Sequence, residues 1–158
     1  MAVEIGRRHP GGVTFIATTT ADDDHLAGRV ARHRAERPSW PTIEEPLDLV
    51  GALTAAGEDM AIVDCLTLWV NNLLLRGDTD EEVEALAASV ACAAAHRRAP
   101  TVVVSNEVGL GVHPATELGR RYRDLLGRVN QHWAAVADRT LLLVAGRAIL
   151  LSDPWALL

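Results

Sequence analysis

Four short apolar runs, Val13 to Thr18, Ala61 to Cys65, Thr101 to Ser105 and Thr140 to Ala145, are separated by longer stretches of helical periodicity. That alternation leaves few folds open. Runs of this length, mostly β-branched and without a polar residue at every second position, read as strands buried on both faces. Between them, residues 22–37, 47–56, 67–76, 80–97 and 116–137 repeat apolar side chains every three or four positions. Strand alternating with helix predicts an α/β fold, a mostly parallel sheet with flanking helices. The last helix is the clearest, with Leu118, Tyr122, Leu125, Val129, Trp133 and Val136 forming one core stripe. At 158 residues, with no repeat and no low-complexity stretch, the chain reads as a single domain. Arg37-Pro38-Ser39-Trp40-Pro41 is a rigid connector inside it.

Charge narrows the range of partners. Fifteen basic residues face 21 acidic ones, for a net charge of −6, so no basic field is present to hold a nucleic-acid polymer. No apolar run is long enough to span a bilayer and the start lacks a signal-peptide core, so the expected location is the cytoplasm. Cys65 and Cys92 offer neither zinc-ligand spacing nor a disulfide framework and read as small core residues. All basic residues are arginine. A mechanism that needs a lysine must take it from another chain.

In open α/β sheets ligands bind beyond the carboxyl ends of the strands. Three segments stand there: Thr18-Thr19-Thr20, Asp64-Cys65, and Asn106-Glu107-Val108-Gly109-Leu110-Gly111. Ala61-Ile62-Val63-Asp64 has the apolar-then-acidic form of a strand whose carboxylate serves a magnesium ion beside a phosphate. The same form also arises when an acidic residue merely ends a strand. Asn106 and Glu107, followed by Gly109 and Gly111, suit a loop that a ligand can approach closely, or else an ordinary tight turn. A phosphate-binding loop of the form Gly, four residues, Gly, Lys, Ser or Thr is missing, since it needs a lysine. Arg29, His33 and Arg37 fall four apart on one helical face. Flanking guanidiniums keep the imidazole neutral and nucleophilic and can receive phosphate oxygens; such a face also serves as plain solvated surface. His113, in the strand-end loop, is a secondary candidate.

Taken together these segments resemble one family. Phe15-Ile16-Ala17-Thr18, Arg29-Val30, His33-Arg34, Arg37-Pro38, Trp40, Thr42 and Glu44 resemble the first half of the bifunctional adenosylcobinamide kinase/adenosylcobinamide-phosphate guanylyltransferases of cobalamin biosynthesis. Val63 to Thr67, Trp69, Asn71-Asn72-Leu73, Ser105 to Gly109, Gly119-Arg120, Tyr122-Arg123-Asp124 and Gly127 through Asn130-Gln131 resemble the remaining motifs. The resemblance runs from about Met1 to Gly146.

It implies a two-step enzyme that phosphorylates adenosylcobinamide and then transfers GMP from GTP through a covalent histidine to give adenosylcobinamide-GDP. The histidine matches His33. Thr18, Thr19, Thr20, Arg34, Ala35, Glu36, Arg37, Glu44 and Asp64 match positions lining the guanine nucleotide, with Arg29 beside them on the basic face. Asn106, Glu107, Gly109 and Gly111 form the candidate substrate loop. GTP and ATP are the implied nucleotides, Mg2+ at Asp64 the implied cofactor, a corrinoid the second substrate, and a homo-trimer the implied assembly. The implied fold is a RecA-like P-loop NTPase core. Met1 to Ile5 align with the middle of that core's first helix, so the expectation is a chain lacking the first strand and its phosphate loop. Two other function classes remain: a non-catalytic remnant that binds a partner or corrinoid, and a P-loop-type ATPase of unrelated role.

Overall fold

The computed structural model describes residues 1–19 and 38–157. In chain order they form α1 (Ala2–Arg8), β1 (Val13–Ala17), β2 (Thr42–Glu44), α2 (Leu49–Ala55), β3 (Met60–Asp64), α3 (Leu66–Arg76), α4 (Asp80–Ala95), β4 (Thr101–Val104), a 3-10 turn (Val108–Leu110), α5 (Glu117–Val136), β5 (Thr140–Val144), β6 (Arg147–Leu151) and a last 3-10 turn (Pro154–Leu157). The helix expected over 22–37 lies outside the described residues. So do Thr20, Arg29, His33, Arg34, Ala35, Glu36 and Arg37.

Four strands make one parallel sheet in the order β2-β1-β3-β4, and helices flank it. The apolar runs explain its centre: every residue of β1 is buried, as are Met60 to Val63 of β3. Alternate residues serve two cores. Ile16, Ala61 and Val63 pack with α2, α3, α4 and α5 around fully buried Trp69, Leu73, Val90, Leu125 and Val129. Phe15, Ala17, Met60 and Ile62 face Ala2, Ile5 and Trp40 on the α1 side. Each such large side chain contributes about 1.5–3 kcal/mol by leaving water. Gly6 lets α1 settle there, since a Cβ at that position would stand 2.6 Å from the Trp40 ring.

Local signals set the helix starts. Asp48 accepts the Gly51 amide at 2.9 Å ahead of α2. Thr79 and Glu82 exchange bonds in a capping box ahead of α4. Across α4 and α5, Arg128 reaches Glu84 at 2.6 Å and Asp80 at 2.9 Å, and Arg121 reaches Asp80 at 2.6 Å. At the amino-terminal rim of the sheet, Arg97 donates to the carbonyls of Gly57 and Asp59 at 3.0 and 2.8 Å and to the Thr101 hydroxyl at 3.0 Å.

Several expectations are corrected. The run from Thr140 is not a strand buried on both faces. It ends at Val144 and pairs antiparallel with β6 in a separate two-stranded sheet whose residues are largely exposed. The cause is the two-residue turn Ala145-Gly146, with φ of 50° and 72°, because so short a connection joins only antiparallel strands. Thr101 to Val104 is half-buried throughout. Cys92 is exposed rather than in the core, on the outer side of α4. The stripe on α5 is buried in its middle, whereas Leu118 and Val136 at its ends are exposed. No helix among the described residues is long and apolar enough to cross a membrane.

Candidate functional site

The parallel register aligns the carboxyl ends of all four strands. Glu44 pairs with Ala17, Ala17 with Asp64, and Asp64 with Val104. With the period of two along a strand, Asp64 continues the face of Met60 and Ile62. Two sequence-predicted carboxylates, Glu44 and Asp64, therefore stand in one row with β1 between them, and Thr18 and Ser105 follow immediately beyond it.

Thr18 is fully buried. Its hydroxyl donates to the carbonyl of Cys65 and accepts from the Cys65 amide, both at 2.8 Å. The peptide between Asp64 and Cys65 is cis. One Asn72 side-chain amide then donates to the carbonyls of Thr18 at 2.7 Å and Pro46 at 3.2 Å, and the Trp69 indole donates to Leu47 at 2.9 Å. α3 thus ties the ends of β1 and β3 to the segment that follows β2. Buried backbone groups outside regular ladders need such partners, which explains polar side chains on the inner face of a helix.

Cys65 precedes the first turn of α3 and is half-buried. Burial pushes its thiol pKa up and the Asp64 charge adds to this, opposed by hydrogen bonds from Leu68 and Thr67. Tyr122 of α5 donates to the Thr67 carbonyl at 3.0 Å. Burial, with Cys65 nearby, pushes its phenol up to about 12, so the ring stays a neutral donor here.

The loop after β4 is fixed from the same helix. Asn106 donates to the Thr67 hydroxyl at 2.9 Å, Asn130 of α5 donates to the Asn106 carbonyl at 3.1 Å, and the Ser105 hydroxyl donates to the Asn130 side-chain oxygen at 2.6 Å. Glu107 accepts the Gly109 amide at 3.3 Å. Gly109 and Gly111 are exposed, as a loop that a ligand approaches requires. Farther along, Arg120 holds the carbonyls of Pro114 and Ala115, and Arg123 lies 2.7 Å from Nδ1 of His113. An open, mostly apolar pocket of about 310 Å³ adjoins this rim, lined by Asn71, Leu74, Leu75, Thr116, Leu118, Gly119 and Tyr122.

Of the residues expected from sequence, Thr18, Thr19, Glu44, Asp64, Asn106 and Glu107 come to one rim of the sheet, and Gly109 and Gly111 border it. Sequence reading passed over Asn72, Asn130 and Tyr122 as site residues, although all three lie in motifs that carried the resemblance. A single polar residue at a core-facing helical position was the available signal. Among the described residues no three His, Cys, Asp or Glu side chains converge to hold a metal alone. A magnesium ion at Asp64 would complete its shell from phosphate oxygens and water, the usual arrangement for that ion.

Comparison with known proteins gives the family. The sequence model of a family described as cobinamide kinase / cobinamide phosphate guanyltransferase (CobU) matches residues 1–151. The bifunctional adenosylcobalamin biosynthesis protein CobP of Pseudomonas aeruginosa is 44% identical over 140 residues, covering 85% of this chain and 79% of that protein. The bifunctional adenosylcobalamin biosynthesis proteins CobU of Salmonella typhimurium and Escherichia coli are 39% and 36% identical over 149 residues, covering 85% of this chain and 82% of each relative.

Proposed function

Because the chain belongs to the cobinamide kinase / cobinamide phosphate guanyltransferase family, we propose that it phosphorylates a cobinamide with ATP or GTP and then guanylylates the product. What most supports this reading is a match spanning residues 1–151, together with the row of acidic and polar groups at the carboxyl rim.

In the second reaction a ring nitrogen of His33 attacks the α-phosphorus of GTP. The bond from that phosphorus to the bridging oxygen breaks and pyrophosphate leaves. A phosphate oxygen of cobinamide phosphate then attacks the same phosphorus, giving the GDP-linked product and releasing His33. Arg29, Arg34 and Arg37 neutralise phosphate charge. Thr19, Thr20, Ala35, Glu36 and Glu44 line the nucleotide, Thr18 supports them from beneath with its buried hydroxyl on the Cys65 backbone, and the loop carrying Asn106, Glu107, Gly109 and Gly111 receives the corrinoid-bearing acceptor. Magnesium, when bound, lowers the charge of the phosphates, and Asp64 would hold it. We read residues 1–158 as one domain of a cytoplasmic homo-trimer, whose subunit number light scattering checks directly.

Incubation with GTP labelled at the α-phosphate tests the chemistry. The expected product is an acid-labile, alkali-stable protein phosphoramidate that is discharged by cobinamide phosphate and absent in His33→Ala. Label persisting in that variant removes His33 from the role. Absence of both label and nucleotide binding in the unsubstituted chain favours a non-catalytic remnant.

A further inference from the structure

We propose that Asn130 is a positioning residue of this site, holding the loop Ser105-Asn106-Glu107 in the one geometry that meets the acceptor substrate. The inference rests on the transferase reading above and extends it to a residue that acts through Ser105 and Asn106.

A carbonyl can only accept, so the group 3.1 Å from the Asn106 carbonyl must be the Asn130 nitrogen, and the Asn130 oxygen is left to accept the Ser105 hydroxyl at 2.6 Å. Turning the amide over would set oxygen against oxygen. Both ends are therefore committed, and the side chain has one orientation. It fixes a side chain and a main-chain carbonyl on consecutive residues, which defines the direction of the loop as well as its distance from α5.

The bonds then close a circuit. From α5, Asn130 reaches Asn106; Asn106 reaches the hydroxyl of Thr67 at 2.9 Å; the carbonyl of Thr67 accepts from Tyr122 at 3.0 Å; and Tyr122 returns to α5. Thr67 is held at two atoms from one rigid helix, by one direct and one relayed path. The loop after β4 and the first turn after β3 thus share a frame, and Asp64 sits at the base of that turn. Opening the circuit at Asn130 leaves the Tyr122 link in place, so α3 stays where it is and the loop alone drifts. Misplacement by about 1 Å can cost on the order of 100-fold in a transfer reaction.

Asn130→Asp is the sharpest probe, because it keeps the shape and the acceptor for Ser105 and replaces the donor to Asn106 with a repelling oxygen. The expected result is a loss of kcat for GMP transfer of about 10- to 100-fold with the KM for GTP unchanged. Ser105→Ala, which spares the bond to the Asn106 carbonyl, should lose less. Thr79→Ala, which removes the cap of α4, serves as the control for lost stability and should lower the melting temperature without lowering kcat. Asn130→Asp that retains kcat, or loses it only as far as the Thr79 control does, overturns the proposal. Hydrogen exchange supplies a readout independent of turnover: amides of residues 106–110 should exchange faster in Asn130→Asp, with those of α3 unchanged. If the unsubstituted chain transfers no GMP, the transferase reading falls alone; equal exchange rates in the loop would sink the positioning role itself.

Discussion

The hydroxyl of Thr18 serves both polar atoms of the Cys65 backbone, accepting from its amide and donating to its carbonyl at 2.8 Å each. One side chain thereby replaces the ladder bonds that β1 and β3 stop making as they reach their carboxyl ends.

Removing that hydroxyl strands the Cys65 amide, whereas the Cys65 carbonyl keeps the Trp69 amide at 3.2 Å. Thr18→Val is expected to destabilise the fold by about 1–3 kcal/mol, measured by urea denaturation. Thr18→Ser keeps the hydroxyl and should lose clearly less. A loss in Thr18→Val no larger than that in Thr18→Ser would mean that the hydroxyl bonds are not what holds the two strand ends.

Tyr122 is the sole tyrosine of the chain, so its ionisation can be followed by absorbance near 295 nm without overlap. The midpoint should lie near 12 in the folded protein and near the ordinary value of about 10 in denaturant. The folded state then keeps a proton that the unfolded chain has released. Its contribution to stability is present below about pH 10 and is lost as pH rises from there toward 12. A folded midpoint near that of the denatured chain would contradict the burial of the phenol.

The two thiols should separate kinetically. Cys92 is exposed, whereas burial raises the pKa of Cys65 and withholds its thiolate. At mildly alkaline pH a disulfide reagent should therefore modify one cysteine quickly and the other only slowly. Cys92→Ser should abolish the fast phase, and a fast phase surviving that change would reverse the assignment.

At the tip of the β5–β6 hairpin, Ala145 has a φ of 50°, a region that suits asparagine or glycine better than alanine. Ala145→Asn creates the Asn-Gly pair that such turns favour. Slower amide exchange along Thr140–Val144 is the expected outcome, with stabilisation of the hairpin by about 0.5–1 kcal/mol.

How far the sequence could be read follows from what each element is made of. The buried parallel strands declared themselves through unbroken apolar runs, and with them the strand ends that carry Thr18, Asp64 and Asn106. β2 did not, since Thr42–Glu44 is three residues long with two of them exposed and so carries no period. The antiparallel hairpin was hidden because Thr140 to Ala145 is as apolar as a central strand, and only the turn geometry distinguishes it. On the helices, Asn72 and Asn130 are polar residues at inward positions whose role shows only when their main-chain partners, 54 and 24 positions away in sequence, are brought beside them. The basic face around His33 rests on its motif and its spacing.

The clamp at Arg97 has a bearing on how such a chain can change over time. It draws Gly57, Asp59 and Thr101 together at the rim opposite Asp64 and Asn106, so part of the fold's heat tolerance is set far from the rim proposed for turnover. Substitutions that adapt the protein to a warmer or colder cell can accumulate around the guanidinium, while on the proposed reading those that alter which molecule is processed fall at the other rim. The two kinds of selection need not compete for the same positions.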